Sequence, residues 1–182
     1  MSDERRTRFE TVVSVVGEPL RRYAARRTDA ETAQDVVADS FLVIWRRLDD
    51  VPDGAELPWC YAVARNCLAN AQRSARRQRG LLLRLVRLDP PRAEFDDAQD
   101  LLDDALYRAL ASLKPNDREL LRLWAWEELR PAEIAVVLET TTNAVNIRLH
   151  RARRRLAALL EPDIGKPPPG SGQKQVEEGR TP

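Results

Sequence analysis

The chain has 182 residues, 43% hydrophobic and 32% charged, with a formal net charge of +1 at pH 7. That allows one domain or two small ones and excludes a uniformly basic or acidic molecule. The charged start MSDERRTRFE is followed by no signal peptide and no run of about eighteen apolar residues, so a soluble cytoplasmic protein with no membrane contact is expected.

Helical spacing dominates and no strand run is found, so the expected fold is all-α. Residues 9–26 carry apolar positions at Phe9, Val12, Val13, Val16 and Leu20, interrupted by Pro19, which is expected to kink or split the helix. Thr28 or Asp29 caps a helix over residues 30–48, with Ala33, Val36, Val37, Phe41, Ile44, Trp45 and Leu48 as its apolar face. DDVPDGAELP at 49–58 reads as a loop, and a long helix is expected from Trp59 to about Arg79.

Pro90, Pro91 and the acids that follow predict a flexible linker. A second helical unit begins near Leu101, marked by Leu102, Leu106, Leu110 and Leu113. Pro115-Asn116-Asp117 caps a helix over 118–127, and Pro131 sits at the first turn of the next. The domains expected are 8–80, a basic-then-acidic linker 81–104, a helix-turn-helix domain 105–160 and a disordered tail 161–182, rich in Pro and Gly.

Charge is segregated along this plan. Residues 59–88 hold Arg65, Arg73, Arg76, Arg77, Arg79, Arg84 and Arg87 and no acid. Residues 89–104 hold Asp89, Glu94, Asp96, Asp97, Asp100, Asp103 and Asp104 against Arg92 alone. AVNIRLHRARRRLAALL at 144–160 is again basic without an acid. Blocks of opposite sign indicate separate surfaces with separate partners.

In residues 131–160 a short helix, a three-residue turn and a longer helix make a helix-turn-helix. Ile134, Ala135 and Leu138 are expected to pack on Val145, Leu149, Ala152 and Leu156. Asn143, Asn146, Ile147, His150, Arg151 and Arg154 then face outward, with Arg148 at the edge. Asn and Arg pair bidentately with adenine and guanine edges, so such a helix suits a major groove.

No catalytic constellation accompanies these features. His150 is the only histidine and has no base, nucleophile or metal partner. Cys60 and Cys67 lie about two turns apart on one helix, roughly 10 Å, too far for a disulfide, and no Cys-x-x-Cys pair suggests zinc. No metal, no cofactor and no enzymatic activity are expected.

EIAVVLETTTNAVNIRLHRARRRL, with LKPNDRELLRLWAWEELRPAEIA upstream, resembles region 4 of bacterial sigma factors of the extracytoplasmic-function group. AQDVVADSFLVIWRRL at 33–48 resembles region 2.2, and PWCYAVARNCLANAQRSARR at 58–77 resembles regions 2.3 and 2.4. The resemblance covers residues 8–160. It implies a transcription initiation factor that binds core RNA polymerase and directs it to promoter DNA.

The resemblance also assigns residues. Gln34, Asp35, Asp39 and Trp45 fall where the family docks on the polymerase β′ clamp helices, and region 4 implies contact with the β flap. Trp59, Tyr61, Arg65, Asn66, Asn70, Arg73, Arg76 and Arg77 fall on the minus-10 element, where aromatics and cations suit a melted strand. The loop 49–58 would wall the pocket for a flipped base. Asn143, Asn146, Ile147, Arg148, His150 and Arg151 fall on the minus-35 element. An anti-sigma protein is implied as a partner, and a monomer is expected when partners are absent.

Several positions depart from the family pattern. Glu139 replaces the usual glycine of the region 4 turn, which implies an altered turn. Asn143-Ala144, Asn146 and Ile147 change the start of the second helix, lowering its charge and offering an apolar contact to a thymine methyl. Ala38 and Asn70 replace a common glutamine and a frequent aspartate. The loop before the long helix carries Asp49, Asp50, Asp53 and Glu56, an unexpected concentration of acid beside DNA. The competing readings are a free-standing helix-turn-helix regulator, which would bind duplex DNA tightly without polymerase, and a helical adaptor whose basic faces bind acidic proteins.

Overall fold

The computed structural model describes residues 2–85 and 101–160, and these form seven α-helices and one 3-10 turn. In chain order they are α1 (Ser2–Ala25), α2 (Ala30–Arg46), the 3-10 turn (Leu48–Asp50), α3 (Glu56–Leu85), α4 (Leu101–Ser112), α5 (Pro115–Ala125), α6 (Pro131–Val137) and α7 (Thr142–Leu160). Helices α1, α2 and α3 pack on one another, and α4, α5 and α6 surround the base of α7. Helix α6 also lies directly on α3.

Pro19 lies inside α1 without ending it. The proline removes one i to i−4 hydrogen bond, whose acceptor belongs to Val15, an exposed residue, so water can satisfy it. The stripe Val12, Val16, Leu20 and Tyr23 is buried on both sides of the proline, and this packing carries the helix through. The helix also begins earlier than its apolar spacing suggested. Arg5 donates to Asp49 and to the Trp45 carbonyl, both at 2.8 Å, and Arg8 donates to the Val51 carbonyl at 3.0 Å. These bonds hold the polar first turns against the end of α2 and the loop after it.

Of the two candidate caps for α2, Asp29 is the one used: it accepts from the Thr32 N–H at 2.9 Å and the Thr32 hydroxyl at 2.8 Å. The expected apolar face divides. Ala33, Val36, Ile44 and Leu48 are buried, Val37 and Phe41 are partly so, and Trp45 is 39% exposed. Helix α3 starts at Glu56, ahead of Trp59, and runs beyond Arg79 through Gly80 to Leu85. Helix therefore occupies the first residues of the segment expected as linker. Residues 86–100 of that linker and the tail from 161 lie outside the described residues.

Helix α5 begins at Pro115 itself, because a proline at the first helical position forfeits no intrahelical bond. Between α6 and α7 the apolar set matches the sequence expectation: Ile134, Ala135, Val145, Leu149 and Ala152 are buried, and Leu138 and Leu156 pack against them. Glu139 takes φ +50°, so the turn keeps the left-handed conformation although the glycine is gone. Thr140 N–H donates to the Ala135 carbonyl at 2.9 Å and closes the turn. The Thr141 hydroxyl then accepts from the Ala144 N–H at 3.2 Å, capping α7.

A side chain in the left-handed region costs about 1–2 kcal/mol, against roughly 0.5–1 kcal/mol of extra unfolded-chain entropy for glycine. Glu139→Gly is therefore expected to raise stability by about 0.5–1 kcal/mol, read as a higher urea midpoint at an unchanged slope. Ile134→Ala, wholly buried, is expected to lower it by about 2–5 kcal/mol.

Candidate nucleic-acid interface

Three exposed faces collect the residues singled out by sequence. On α7, Asn143, Asn146, Ile147, His150, Arg151 and Arg154 are exposed, and Arg148 is half-buried at the edge. Burying Val145, Leu149 and Ala152 against α6 orients this face, since these residues repeat at helical spacing. The five arginines of α7 do not share one role. Arg153 stacks on the Trp124 ring at 4.6 Å, and Arg155 pairs with Asp117 at 3.4 Å, so both serve the contact with α5. Among the described residues Arg148, Arg151 and Arg154 form no ion pair. Their charge is available to an anion.

On α3, Cys60, Ala64, Cys67 and Leu68 are buried in the core. This leaves Asn66, Asn70, Arg73, Arg76 and Arg77 exposed and Arg65 half-buried. Asn66, Asn70, Arg73 and Arg77 recur at three- and four-residue steps, hence along one row of the helix. Arg73 donates to the Asn70 side-chain oxygen, which fixes the amide with its nitrogen outward. The aromatic pair is placed differently. Trp59 is half-buried, and Tyr61 is buried with its hydroxyl donating to Glu127 at 3.3 Å. Trp59 and Asn66 border an open cavity of about 230 Å³ closed on its far side by Val136 and Glu139 of the helix-turn-helix.

The acidic loop has a structural explanation. Asp49 pairs with Arg5 at 2.8 Å, Asp50 with Arg47 at 2.8 Å and Asp53 with Arg8 at 3.3 Å. Glu56 accepts from the Gly54 N–H at 2.9 Å, which lowers its pKa from the ordinary carboxylate value. The acids are thus spent on α1, on the end of α2 and on the loop's own backbone. Sequence reasoning missed Arg47, whose guanidinium lies 5.3 Å from the Trp59 ring centre. Its place three residues before Asp50 was the available signal.

On α2, Gln34, Asp35 and Asp39 are exposed. Leu42 continues the row of Asp35 and Asp39 and is 53% exposed. Its apolar side chain on a surface row, three residues beyond Asp39, went unnoticed in the sequence. Trp45 stands edge-on to Phe9, with centroids 5.1 Å apart, and under the Arg5 guanidinium. The face is acidic at one end and apolar at the other.

Residues 103–156 match the family model for sigma-70 region 4. The chain is 32% identical over 146 residues to the ECF RNA polymerase sigma factor SigL of Mycobacterium tuberculosis, covering 78% of this chain and 82% of that one. It is 30% identical over 163 residues to the RNA polymerase sigma factor CnrH of Cupriavidus metallidurans, covering 83% of each. The fold is similar to the sigma factor RpoE of Bartonella quintana, solved in complex with the anti-sigma factor NepR. There the TM-score is 0.61 at 25% identity, over 85% of this chain and 98% of that one.

Among the described residues there is no cluster of side chains fit to hold a metal ion, and the thiols are not poised for chemistry. Cys60 is fully buried, and burial pushes its pKa up to about 12. Cys67 is nearly buried and its pKa is also raised by burial. Burial, and secondarily the neighbouring Glu119 and Glu127, raises Tyr23 and Tyr61 as well. All four groups favour their neutral forms in the folded chain, whereas an unfolded thiol ionises near about 8.5 and a tyrosine near about 10. Their stabilisation is complete below those values and is lost as pH rises through them. The thermal midpoint should therefore fall steadily from about pH 8.5 to about pH 11. Iodoacetamide at pH 8 should leave both thiols unmodified until urea unfolds the protein.

Proposed function

The chain belongs to the extracytoplasmic-function sigma factors of RNA polymerase, and we propose the following division of labour among its surfaces. The protein is a transcription initiation factor: it binds core RNA polymerase and directs it to specific promoters. The face of α7 reads the minus-35 element through Asn143, Asn146, Ile147, Arg148, His150 and Arg151. The row on α3 meets the minus-10 element through Asn66, Asn70, Arg73, Arg76 and Arg77, with Arg65, Trp59 and Tyr61 beside it. Gln34, Asp35, Asp39 and Trp45 on α2, with Leu42, dock on the polymerase clamp, and the helix-turn-helix half meets the flap.

The observation that carries the minus-35 reading is the separation of faces on α7. One stripe, Val145, Leu149 and Ala152, is buried, and the opposite one offers amides and unpaired guanidiniums at groove-reading spacing. For α3, an acid-free surface with amides between cations suits a strand whose bases are exposed. On α2, carboxylates beside an exposed leucine and tryptophan suit a basic partner with an apolar centre.

Residues 8–80 and 105–160 act as the two halves, joined by 81–104. No helix of the described residues is long and apolar enough to cross a membrane, which supports a cytoplasmic site of action. The protein contributes recognition, and the polymerase contributes catalysis. The solved complex of the Bartonella RpoE with NepR supports an anti-sigma protein as a further partner.

Run-off transcription with purified core polymerase on genomic fragments tests the reading. Specific transcripts are expected only when the protein is added. Tight duplex binding by the protein alone, without transcripts, would instead identify a free-standing regulator. Arg151→Ala is expected to reduce promoter-dependent transcript about 5- to 100-fold, the worth of one base or phosphate contact, while polymerase binding stays at wild-type level. Asp35→Ala should reverse that pattern, weakening polymerase binding in a pull-down. Normal transcription by both variants would refute the residue roles.

A further inference from the structure

The segment between α2 and α3 begins and ends beside Trp59. Arg47, at its start, stacks on the Trp59 ring at 5.3 Å and borders the same cavity as Trp59 and Asn66. Glu56, at its end, opens α3 less than one turn before Trp59. Between them Leu48 and Val51 are buried. The Val51 N–H donates to the Leu48 carbonyl at 3.2 Å, and the Ala55 N–H donates to the Pro52 carbonyl at 3.3 Å.

Two arginines of α1 reach this loop from the side. Arg5 and Arg8 are three positions apart and so share one face of the helix. Arg5 uses both terminal nitrogens, one on Asp49 and one on the Trp45 carbonyl, each at 2.8 Å. Arg8 donates to the Val51 carbonyl at 3.0 Å and to Asp53 at 3.3 Å. The Trp45 carbonyl belongs to the last turn of α2, where carbonyls run out of intrahelical partners. Each arginine therefore ties down one main-chain oxygen and one carboxylate, on either side of the 3-10 turn.

Stability does not account for these contacts. The Asp49 and Asp53 side chains are 77% and 95% exposed, and exposed ion pairs contribute little. The buried stripe of α1 lies further along, from Val12 onward. What a guanidinium does supply is geometry, because its planar fork holds two acceptors in fixed directions.

We propose that Arg5 and Arg8 are positioning residues for the minus-10 contact: from α1 they hold the loop in one conformation beside Trp59, and so set which bases are accepted at that end of α3. The proposal rests on the proposed role of α3 and extends it to two residues of another helix. A contact that tells bases apart must be held to within about 0.5 Å. A loop released at both carbonyls samples several positions and accepts several bases.

Arg5→Ala with Arg8→Ala in the full chain is expected to keep the helical circular dichroism, while amide hydrogen exchange across residues 48–56 quickens. Run-off transcription with core polymerase then compares the promoter used by the unaltered protein with copies carrying single-base changes in the minus-10 element. The preference for the original sequence is expected to narrow about tenfold in the variant, the discrimination that one well-placed base contact supplies. A merely structural role would lower every template equally, and an unchanged preference or unchanged exchange would overturn the proposal. Adding Asp49→Asn and Asp53→Asn to the variant removes the acids left without partners, and the preference should stay narrow. Its restoration would mean that the arginines only neutralise the loop, which also overturns the proposal. The exchange result is independent of the initiation role: quickened exchange in a protein that supports no transcription would keep the brace and remove its part in base choice along with the proposed function.

Discussion

Helix α3 must bury one stripe and can do so only by giving up the rest of its surface. From Trp59 to its end at Leu85 it holds six arginines and no acid, so it cannot neutralise itself along its own axis as a solvated helix does. What anchors it is Cys60, Ala64, Cys67 and Leu68, small or apolar side chains that let α1 and α2 approach closely. Once that stripe is inside, Asn66, Asn70, Arg73 and Arg77 have no alternative but the opposite side. The other elements follow: α1 and α2 supply the core beneath it, and α6 rests on its first turns.

Charge is allotted by the same logic. The arginines of α1 meet the acids of the loop before α3, so Asp49 and Asp53 are consumed within the first half. Arg153 and Arg155 are consumed holding α7 to α5. After these internal pairings the exposed row of α3 and the outer face of α7 still hold arginines without an acidic partner among the described residues. The separation follows from packing: the long-range ion pairs sit where two elements meet, whereas Arg73, Arg76 and Arg77 of α3 and Arg151 and Arg154 of α7 sit on exposed faces.

Much of this was legible in the sequence. Helical spacing marked the buried stripes of α2, α6 and α7, and Pro115 and Pro131 marked helix starts to within a few residues. Pro19 misled, because local rules price the lost hydrogen bond but not the packing of Val16 and Leu20 that compensates it. Glu139 misled in the opposite direction: the residue type argues against a left-handed turn, yet closure of α6 onto α7 imposes one. The faces of α3 and α7 were readable because they depend on periodicity within one helix. Tyr61 was not, because the partners it packs on and bonds to are Tyr23 of α1 and Glu127, sixty-six positions away. Arg27 and the Glu119 and Glu127 that it pairs with carried no local signal for the same reason: a charge in a turn looks solvated until the partner element is placed.

The near-neutral total, 30 basic against 29 acidic residues, constrains how such surfaces can work. Long-range attraction to DNA scales with the net field, and at a formal charge of +1 there is almost none beyond a Debye length of about 8–10 Å. Each basic face acts only at contact, and each offers few phosphates a partner, so its counterion-release term is small. Neither face alone accumulates the affinity of a self-sufficient DNA-binding protein. Two weak faces held on one body multiply through effective concentration, provided the spacing between them matches the spacing of their targets. Weak individual contacts are therefore what allow promoter choice to depend on the polymerase, because only the assembled complex presents both faces at once.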